Sequence, residues 1–159
     1  MSNQPPYYYE TEVEWISGRA CTLGAPGMPD IEVATPPEFQ GNVGTWTPEH
    51  LFVASVSCCY VTTFLAIAEL SKLEFAGISC GATGTLEKLE GSGYEVTEIT
   101  LRPNLVLNHP RDLERAGRIL EKAERNCLIS KSIKTVVRVK PQVAAIEVAA
   151  ENEAPVIAA

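Results

Sequence analysis

The sequence predicts an α+β fold in which mainly antiparallel strands surround one long buried helix. Three observations support this prediction. Strand-like segments are joined mostly by short hairpin signals, one uncharged stretch at 51–68 is long enough for a central helix, and the order is strands, helix, strands, helix, strand. The 159 residues suit one domain. We expect it to span 7–149, between a flexible N-terminus at 1–6 and a flexible tail at 150–159.

Three strand candidates precede the helix. In residues 8–15, glutamates alternate with aromatic and β-branched side chains, which predicts a half-buried strand. Residues 19–23 follow a Ser-Gly turn, and 31–35 follow a Gly/Pro cluster. A loop rich in Pro and Gly then covers 36–46, so the first part of the chain predicts a small sheet and a loop.

The long helix has a clear start signal. Thr47 can cap free amides, Pro48 suits the first helical position, and Glu49 complements the positive helix end. We expect the helix to continue to about Ser71. Its uncharged stretch reaches the lower limit of a membrane span, but it contains Ser, Thr and Cys and lacks a flanking basic loop. We therefore predict a helix buried nearly all round in a core or subunit interface.

The second half of the chain repeats the pattern of strands, helix and strand. Two long strands at 75–89 and 94–107 are joined by a Gly-Ser-Gly turn. An amphipathic helix at 111–125 should bury Leu113, Ala116, Leu120 and Ala123, and a last strand is expected at 135–148. Cys127 lies just past that second helix, in a short segment.

Composition restricts the class of protein. The net charge of -7 disfavours nucleic acid and anionic membranes as partners. The N-terminus lacks the basic and apolar regions of a secretory signal, and five cysteines are an odd number, so we expect a cytoplasmic protein without a disulfide framework. The sequence has no C-x-x-C and two histidines, so no metal or cofactor is expected.

Cys58 and Cys59 are adjacent on the predicted helix and cannot face one pocket, because about 100° separates neighbouring residues. Cys58 shares a wholly apolar stripe, whereas Cys59 shares one that includes Ser55 and Thr62. A thiolate needs hydrogen-bond donors, so Cys59 is the better candidate nucleophile and Cys58 the better core residue. The pattern also fits two packed thiols.

Four separated motifs of the sequence carry a resemblance to a known family. In the stretch TPEHLFVASVSCCY, Cys59 lies ten residues after Glu49. This spacing is similar to the helix opening of the OsmC/Ohr family of organic hydroperoxide reductases, in which a reactive Cys lies ten residues after a Glu. Ser-Gly-Arg-Ala resembles the turn that carries the family's arginine, here Arg19. VATPPEFQG resembles the following loop, and AERNCLISKS resembles the segment of the second cysteine, here Cys127. The resemblance covers about 8–145.

The sequence departs from the family pattern at four positions, none of which would carry a reacting atom. His50 stands where the hydroperoxide-resistance branch usually has Gln, and Leu128 where Pro commonly follows the second Cys. Gly18 is a single glycine where the family has a glycine pair before the arginine, and Cys58 stands where the family usually has a smaller residue. These differences leave the subfamily open.

The resemblance implies a thiol-dependent peroxidase that acts in oxidative-stress defence. Arg19, held by Glu49, would stabilise the thiolate of Cys59, which would attack an organic hydroperoxide and become a sulfenic acid. Cys127 would then form a disulfide with Cys59. The family also implies an interwoven homodimer and a dihydrolipoyl-protein or other thiol as reductant.

Three aromatic residues, Phe52, Trp46 and Phe39, could form an apolar pocket for alkyl or fatty-acid hydroperoxides, although ordinary core packing explains them equally well. An alternative function is a non-catalytic binding or stress protein that keeps the fold. A thiol hydrolase is a third hypothesis, which would need a histidine near Cys59.

Overall fold

The computed structural model of the chain describes residues 5–146 and confirms the α+β class. Its helices are α1 (Pro48–Leu70), α2 (Leu113–Asn126) and α3 (Leu128–Ser132), and its strands are β1 (Glu12–Ser17), β2 (Ala20–Gly24), β3 (Ile31–Ala34), β4 (Phe75–Leu89), β5 (Gly93–Leu107), β6 (Val136–Val139) and β7 (Gln142–Ala145).

The chain divides into two compact units, and the division falls inside α1 after Ala54. The single domain expected at 7–149 therefore stays a prediction. The flexible ends expected at 1–6 and 150–159 fall partly and wholly outside the described residues.

In the first unit, β1, β2 and β3 form an antiparallel sheet in that order. The prediction of a half-buried β1 is wrong for the single chain, because all six of its residues are exposed. Beyond the sheet, the backbone N–H of Ala34 donates to Trp46 O at 2.8 Å, which ties the end of the Pro/Gly loop to β3. Gly41 lies in that loop, where an added Cβ would stand 1.4 Å from Thr35 O.

The start of α1 follows the sequence prediction. Thr47 is 1% exposed, and its Oγ1 accepts the backbone N–H of His50 at 3.3 Å. This hydroxyl satisfies one of the amides that the first turn of a helix leaves free.

The second unit is built on the long antiparallel hairpin of β4 and β5. The expected final strand 135–148 is instead two strands, β6 and β7, and both pair parallel with β5. The sheet is therefore mixed. The break falls at Lys140–Pro141, opposite a stretch of β5 that contains the buried Pro103, and neither proline can donate to a ladder.

The core of the second unit lies on one side of α1. Five of the 23 helical residues are buried: Val56, Tyr60, Phe64, Ile67 and Ala68. The Tyr60 hydroxyl donates to Leu120 O at 3.4 Å, and the ring of Phe64 meets Phe75 edge-on with centroids 5.5 Å apart. In α2, Ala116, Leu120 and Ala123 are buried as predicted, with Ile119, whereas Leu113 is 43% exposed.

The prediction that α1 is buried nearly all round is wrong for the single chain. Leu65 is 41% exposed, and Cys58, expected in the core, is exposed too. The buried stripe runs through Val56, Tyr60 and Phe64. It is rotated by about one residue, or about 100°, from the apolar stripe of Cys58 that the sequence predicted as the buried face. Of the described helices, α1 alone is long and apolar enough to cross a membrane, with mean hydropathy 2.0, a test that core helices of soluble proteins also pass.

Candidate active site

Two cysteines that are 68 residues apart in sequence meet in the second unit. Cys59 lies on α1, and Cys127 lies between α2 and α3. The two thiols are joined by a hydrogen bond. Cys127 is fully buried at 0% exposure, whereas Cys59 is partly exposed. Solvent therefore reaches Cys59 but not its hydrogen-bonded partner, Cys127.

The surroundings of Cys59 favour its ionised form. Burial alone would raise its pKa, but hydrogen bonds from the backbone N–H of Ile129, the Cys127 thiol, the Thr63 hydroxyl and the backbone N–H of Leu128 outweigh burial and lower it. A lower pKa gives more thiolate at neutral pH, and the thiolate is the nucleophile.

The surroundings of Cys127 have the opposite net effect. Burial raises the pKa of this thiol, and so do its hydrogen bond to Cys59 and the charge on Cys59, although hydrogen bonds from Ser130 partly compensate. The Ser130 hydroxyl donates to Cys127 Sγ at 3.1 Å. In this pair the Cys127 thiol donates a hydrogen bond to the Cys59 sulfur, the pKa of Cys59 is lowered and that of Cys127 is raised.

The other three cysteines have different surroundings. Cys58 is exposed and Cys80 is half-buried, with a pKa raised chiefly by burial. Cys21 lies on β2 and lines a cavity of the first unit. Within residues 5–146, no group of three or more side chains is placed to hold a metal ion.

The cavity that Cys21 lines in the first unit has a volume of about 510 Å³. Two of the predicted site residues, Arg19 and Glu49, also line it, together with Phe39. Apolar side chains from the three strands form much of the wall: Val13, Leu23 and Val33. Glu49 Oε2 is buried and has no hydrogen-bond partner among the described residues. This is an unsatisfied carboxylate oxygen in a largely apolar space, which is costly unless a donor reaches it.

The Arg19 guanidinium is exposed and is engaged by the loop. It donates to Phe39 O and, at 3.3 Å, to Gln40 Oε1. No ion pair between Arg19 and Glu49 occurs in the described chain, although both line the same cavity. The role of Glu49 in orienting Arg19 stays a prediction.

The remaining aromatic candidates lie elsewhere. Trp46 lines a second cavity of about 430 Å³ with His50, and the two rings meet edge-on at 6.2 Å. His50 Nδ1 is hydrogen-bonded to Thr47 Oγ1 at 2.9 Å. Phe52 is half-buried on α1. The assignment of Trp46 and Phe52 to a substrate pocket stays a prediction.

The groups that tune the thiols differ from those that the helical stripe predicts. The stripe predicts Thr62 beside Cys59, but the Thr62 hydroxyl donates to the backbone carbonyls of Cys58 and Cys59, and the Thr63 hydroxyl donates to the sulfur instead. The spacing of four residues between Cys59 and Thr63 was a usable signal, because such pairs lie on one helix face. The backbone N–H groups of residues 128 and 129 could not be predicted as donors to the sulfur, because the side chains at these positions do not indicate it.

Comparisons with known proteins agree with this fold. A family model described as OsmC-like protein matches residues 40–142. The uncharacterized protein YmaD of Bacillus subtilis is 28% identical over 104 residues, which cover 64% of this chain and 69% of that protein.

Two solved structures are similar over most of this chain. An OsmC-like protein of unknown function from Vibrio cholerae has a TM-score of 0.79 at 24% identity, covering 86% of this chain and 100% of that one. An organic hydroperoxide resistance protein from Elizabethkingia anophelis has a TM-score of 0.71 at 23% identity, covering 90% and 99%. With the family model matching well over half of its length, the chain belongs to the OsmC/Ohr family of OsmC-like proteins.

Proposed function

We propose that this chain is a cytoplasmic, thiol-dependent peroxidase that reduces organic hydroperoxides to alcohols in oxidative-stress defence. The observation that carries the proposal is the hydrogen-bonded pair of Cys59 and Cys127, in which the pKa of the first thiol is lowered and that of the second is raised. A peroxidatic thiol has to be ionised and reachable, and a resolving thiol has to wait protonated beside it.

The reaction takes two steps at these sulfurs. The Cys59 thiolate attacks the distal oxygen of the hydroperoxide, the O–O bond breaks, and the alkoxide takes a proton and leaves as an alcohol. Cys59 is then a sulfenic acid, oxidised by two electrons. The Cys127 sulfur attacks it, its proton joins the departing hydroxide, and water leaves as the disulfide forms.

Arg19 and Glu49 complete the proposed machinery. The guanidinium would stabilise the thiolate, and Glu49 would hold it by a bidentate pair. The unsatisfied Glu49 Oε2 in the cavity that Arg19 also lines supports this role, since the carboxylate lacks the donor that an arginine would supply. In that arrangement, the Arg19 guanidinium would no longer donate hydrogen bonds to Phe39 O and Gln40 Oε1.

The substrate class follows from the same cavity. Its walls are largely apolar and include Phe39, which favours alkyl or fatty-acid hydroperoxides over hydrogen peroxide. We further propose that a dihydrolipoyl-protein, or another thiol, returns the disulfide to the dithiol, and that the working form is a homodimer.

The proposal is tested by mapping disulfides after oxidation. Reduced protein is treated with one equivalent of cumene hydroperoxide and digested without reductant, and the peptides are identified by mass spectrometry. We expect a link between Cys59 and Cys127. Cys59→Ser should abolish peroxide consumption, and Cys127→Ser should accumulate a sulfenic acid that dimedone traps.

Cys58→Ser is the matched control, because it removes the neighbouring thiol, which is exposed. This variant should keep wild-type turnover. Scattered oxidation of several cysteines, with no dominant link, would instead favour a non-catalytic binding or stress protein that keeps the family fold.

A further inference from the structure

Ser130 contacts the buried sulfur of the candidate pair. It lies in α3, three residues after Cys127, and its hydroxyl donates to Cys127 Sγ at 3.1 Å. Cys127 is 0% exposed, so solvent does not reach this sulfur. Among the described residues, the Cys59 thiol and Ser130 are hydrogen-bonded to this sulfur, and Tyr60 of α1 is close enough to interact with it electrostatically.

The second step of the proposed reaction places a demand on this sulfur. Cys127 has to release its proton and develop negative charge as it attacks the Cys59 sulfenic acid, while hydroxide leaves and becomes water. A charge that forms on a buried atom is costly unless a donor stabilises it. Cys59 accepts from the Cys127 thiol rather than donating to it, and the donors that the described chain offers to Cys127 Sγ are the hydroxyl and the backbone N–H of Ser130.

We propose that Ser130 is a positioning residue for disulfide formation, an inference that rests on the proposed peroxidase function. Its hydroxyl orients Cys127 Sγ toward Cys59 and donates to the sulfur as it becomes anionic. Ser130 does not touch the peroxide, so it acts on the second step and leaves the first unchanged.

The chain offers a matched control in the same short helix. The Ser132 hydroxyl donates to the backbone carbonyl of Leu128 at 2.8 Å rather than to a thiol. Ser132→Ala therefore removes one hydroxyl from α3 without removing a donor to sulfur. Ser130→Thr keeps the hydroxyl and serves as the conservative rescue.

The experiment is a single turnover of full-length protein with one equivalent of cumene hydroperoxide. Peroxide consumption reports the first step, and alkylation quench with non-reducing mass spectrometry reports the Cys59–Cys127 link. For Ser130→Ala we expect unchanged peroxide consumption, disulfide formation slowed by about tenfold, and a pH profile of this step moved to higher pH. Ser130→Thr and Ser132→Ala should resemble the wild type.

A second measurement tests the interaction without turnover. The rate of Cys127 alkylation is measured against pH in the Cys59→Ser background, and circular dichroism excludes exposure of Cys127 by unfolding. Adding Ser130→Ala should shift this rate profile to higher pH. Unchanged disulfide formation and an unchanged Cys127 profile would overturn the inference alone. A wild type that consumes no hydroperoxide would overturn the proposed function and this inference with it.

Discussion

In the proposed reaction Cys59 has to be ionised and also close to its partner thiol, and these requirements oppose each other because burial disfavours a thiolate. In the part of the chain that the structure describes, hydrogen-bond donors offset this burial. Two backbone N–H groups, one hydroxyl and one thiol donate to this sulfur and outweigh its desolvation. The two side-chain donors, the Thr63 hydroxyl and the Cys127 thiol, can be removed separately by substitution, so their individual contributions can be measured.

Thr63→Val should raise the pKa of Cys59, because it removes one donor to the thiolate at nearly constant volume. Loss of a hydrogen bond to a charged group corresponds to about a tenfold change in the ionisation constant. The fraction of Cys59 present as thiolate at a pH below its pKa should therefore fall about tenfold. The measurement is the rate of iodoacetamide alkylation of Cys59 against pH.

Thr62→Val is the control, because the hydroxyl of Thr62 donates to backbone carbonyls and not to the sulfur. It should leave the profile in place. Equal shifts for both valine variants would show that helix perturbation, and not the lost donor, moves the pKa.

The two proposed steps should respond differently to pH. The first needs the Cys59 thiolate, whose pKa is lowered, so its rate should rise with pH and level off below the range of an ordinary thiol, about 8.5. The second needs Cys127 to deprotonate, and burial, the largest cause of its raised pKa, persists after Cys59 is oxidised. Disulfide formation should therefore level off at higher pH than peroxide consumption in quenched single turnovers. The reverse order would contradict the assignment of roles.

The sequence singled out the two candidate sulfurs but not the groups that surround them. Family motifs singled out Cys59 and Cys127, but no helical stripe could foresee their contact, because it depends on how α1 packs against the α2–α3 connection. The same stripe argument misplaced Cys58. An apolar helix face can be covered by the chain's own core or by another molecule, and composition does not distinguish the two.

At the scale of elements, most of the order and most boundaries follow from local signals, whereas strand pairing does not. The capping residues placed α1 within a residue or so of its observed ends. The parallel pairing of β6 and β7 with β5 had no local signal, because a crossover through α2 and α3, not a hairpin, precedes them. The split between β6 and β7 is visible at Pro141 in retrospect.

Helix α2 contains a glycine that an alanine should replace with a gain in stability. Gly117 lies in the middle of the helix, and an added Cβ would meet nothing within 4 Å. Gly117→Ala should therefore raise the free energy of unfolding by about 0.5–1 kcal/mol, because glycine costs more backbone entropy in a helix. Urea denaturation followed by circular dichroism measures the change.

Gly91→Ala provides the opposite case in the turn between β4 and β5. An added Cβ also meets nothing there, but φ is +83°, which an alanine adopts only with strain. This variant should lose stability. If both alanines had the same effect, available space rather than backbone conformation would decide the outcome.

At the scale of the whole molecule, the described part of the single chain exposes many large apolar side chains. In the first unit, Tyr9 is 92% and Trp15 is 73% exposed, and on α1 Leu70 is 85% exposed. Isolated apolar side chains on a surface need no explanation, but a 23-residue helix that buries five residues and contains an 18-residue window of mean hydropathy 2.0 does. A second copy of the chain is the occupant that the proposed homodimer supplies.

Leu65→Arg should therefore dissociate the proposed dimer. Leu65 is 41% exposed on the apolar α1, and burying an unpaired guanidinium in a subunit interface costs several kcal/mol. Sedimentation or light scattering should give twice 17.2 kDa for the wild type and 17.2 kDa for the variant. Glu121→Arg, on the solvent side of α2 and 68% exposed, introduces the same side chain away from α1 and should stay dimeric. A monomeric wild type, or a Leu65→Arg protein that stays dimeric at micromolar concentration, would show that this face of α1 does not join two copies.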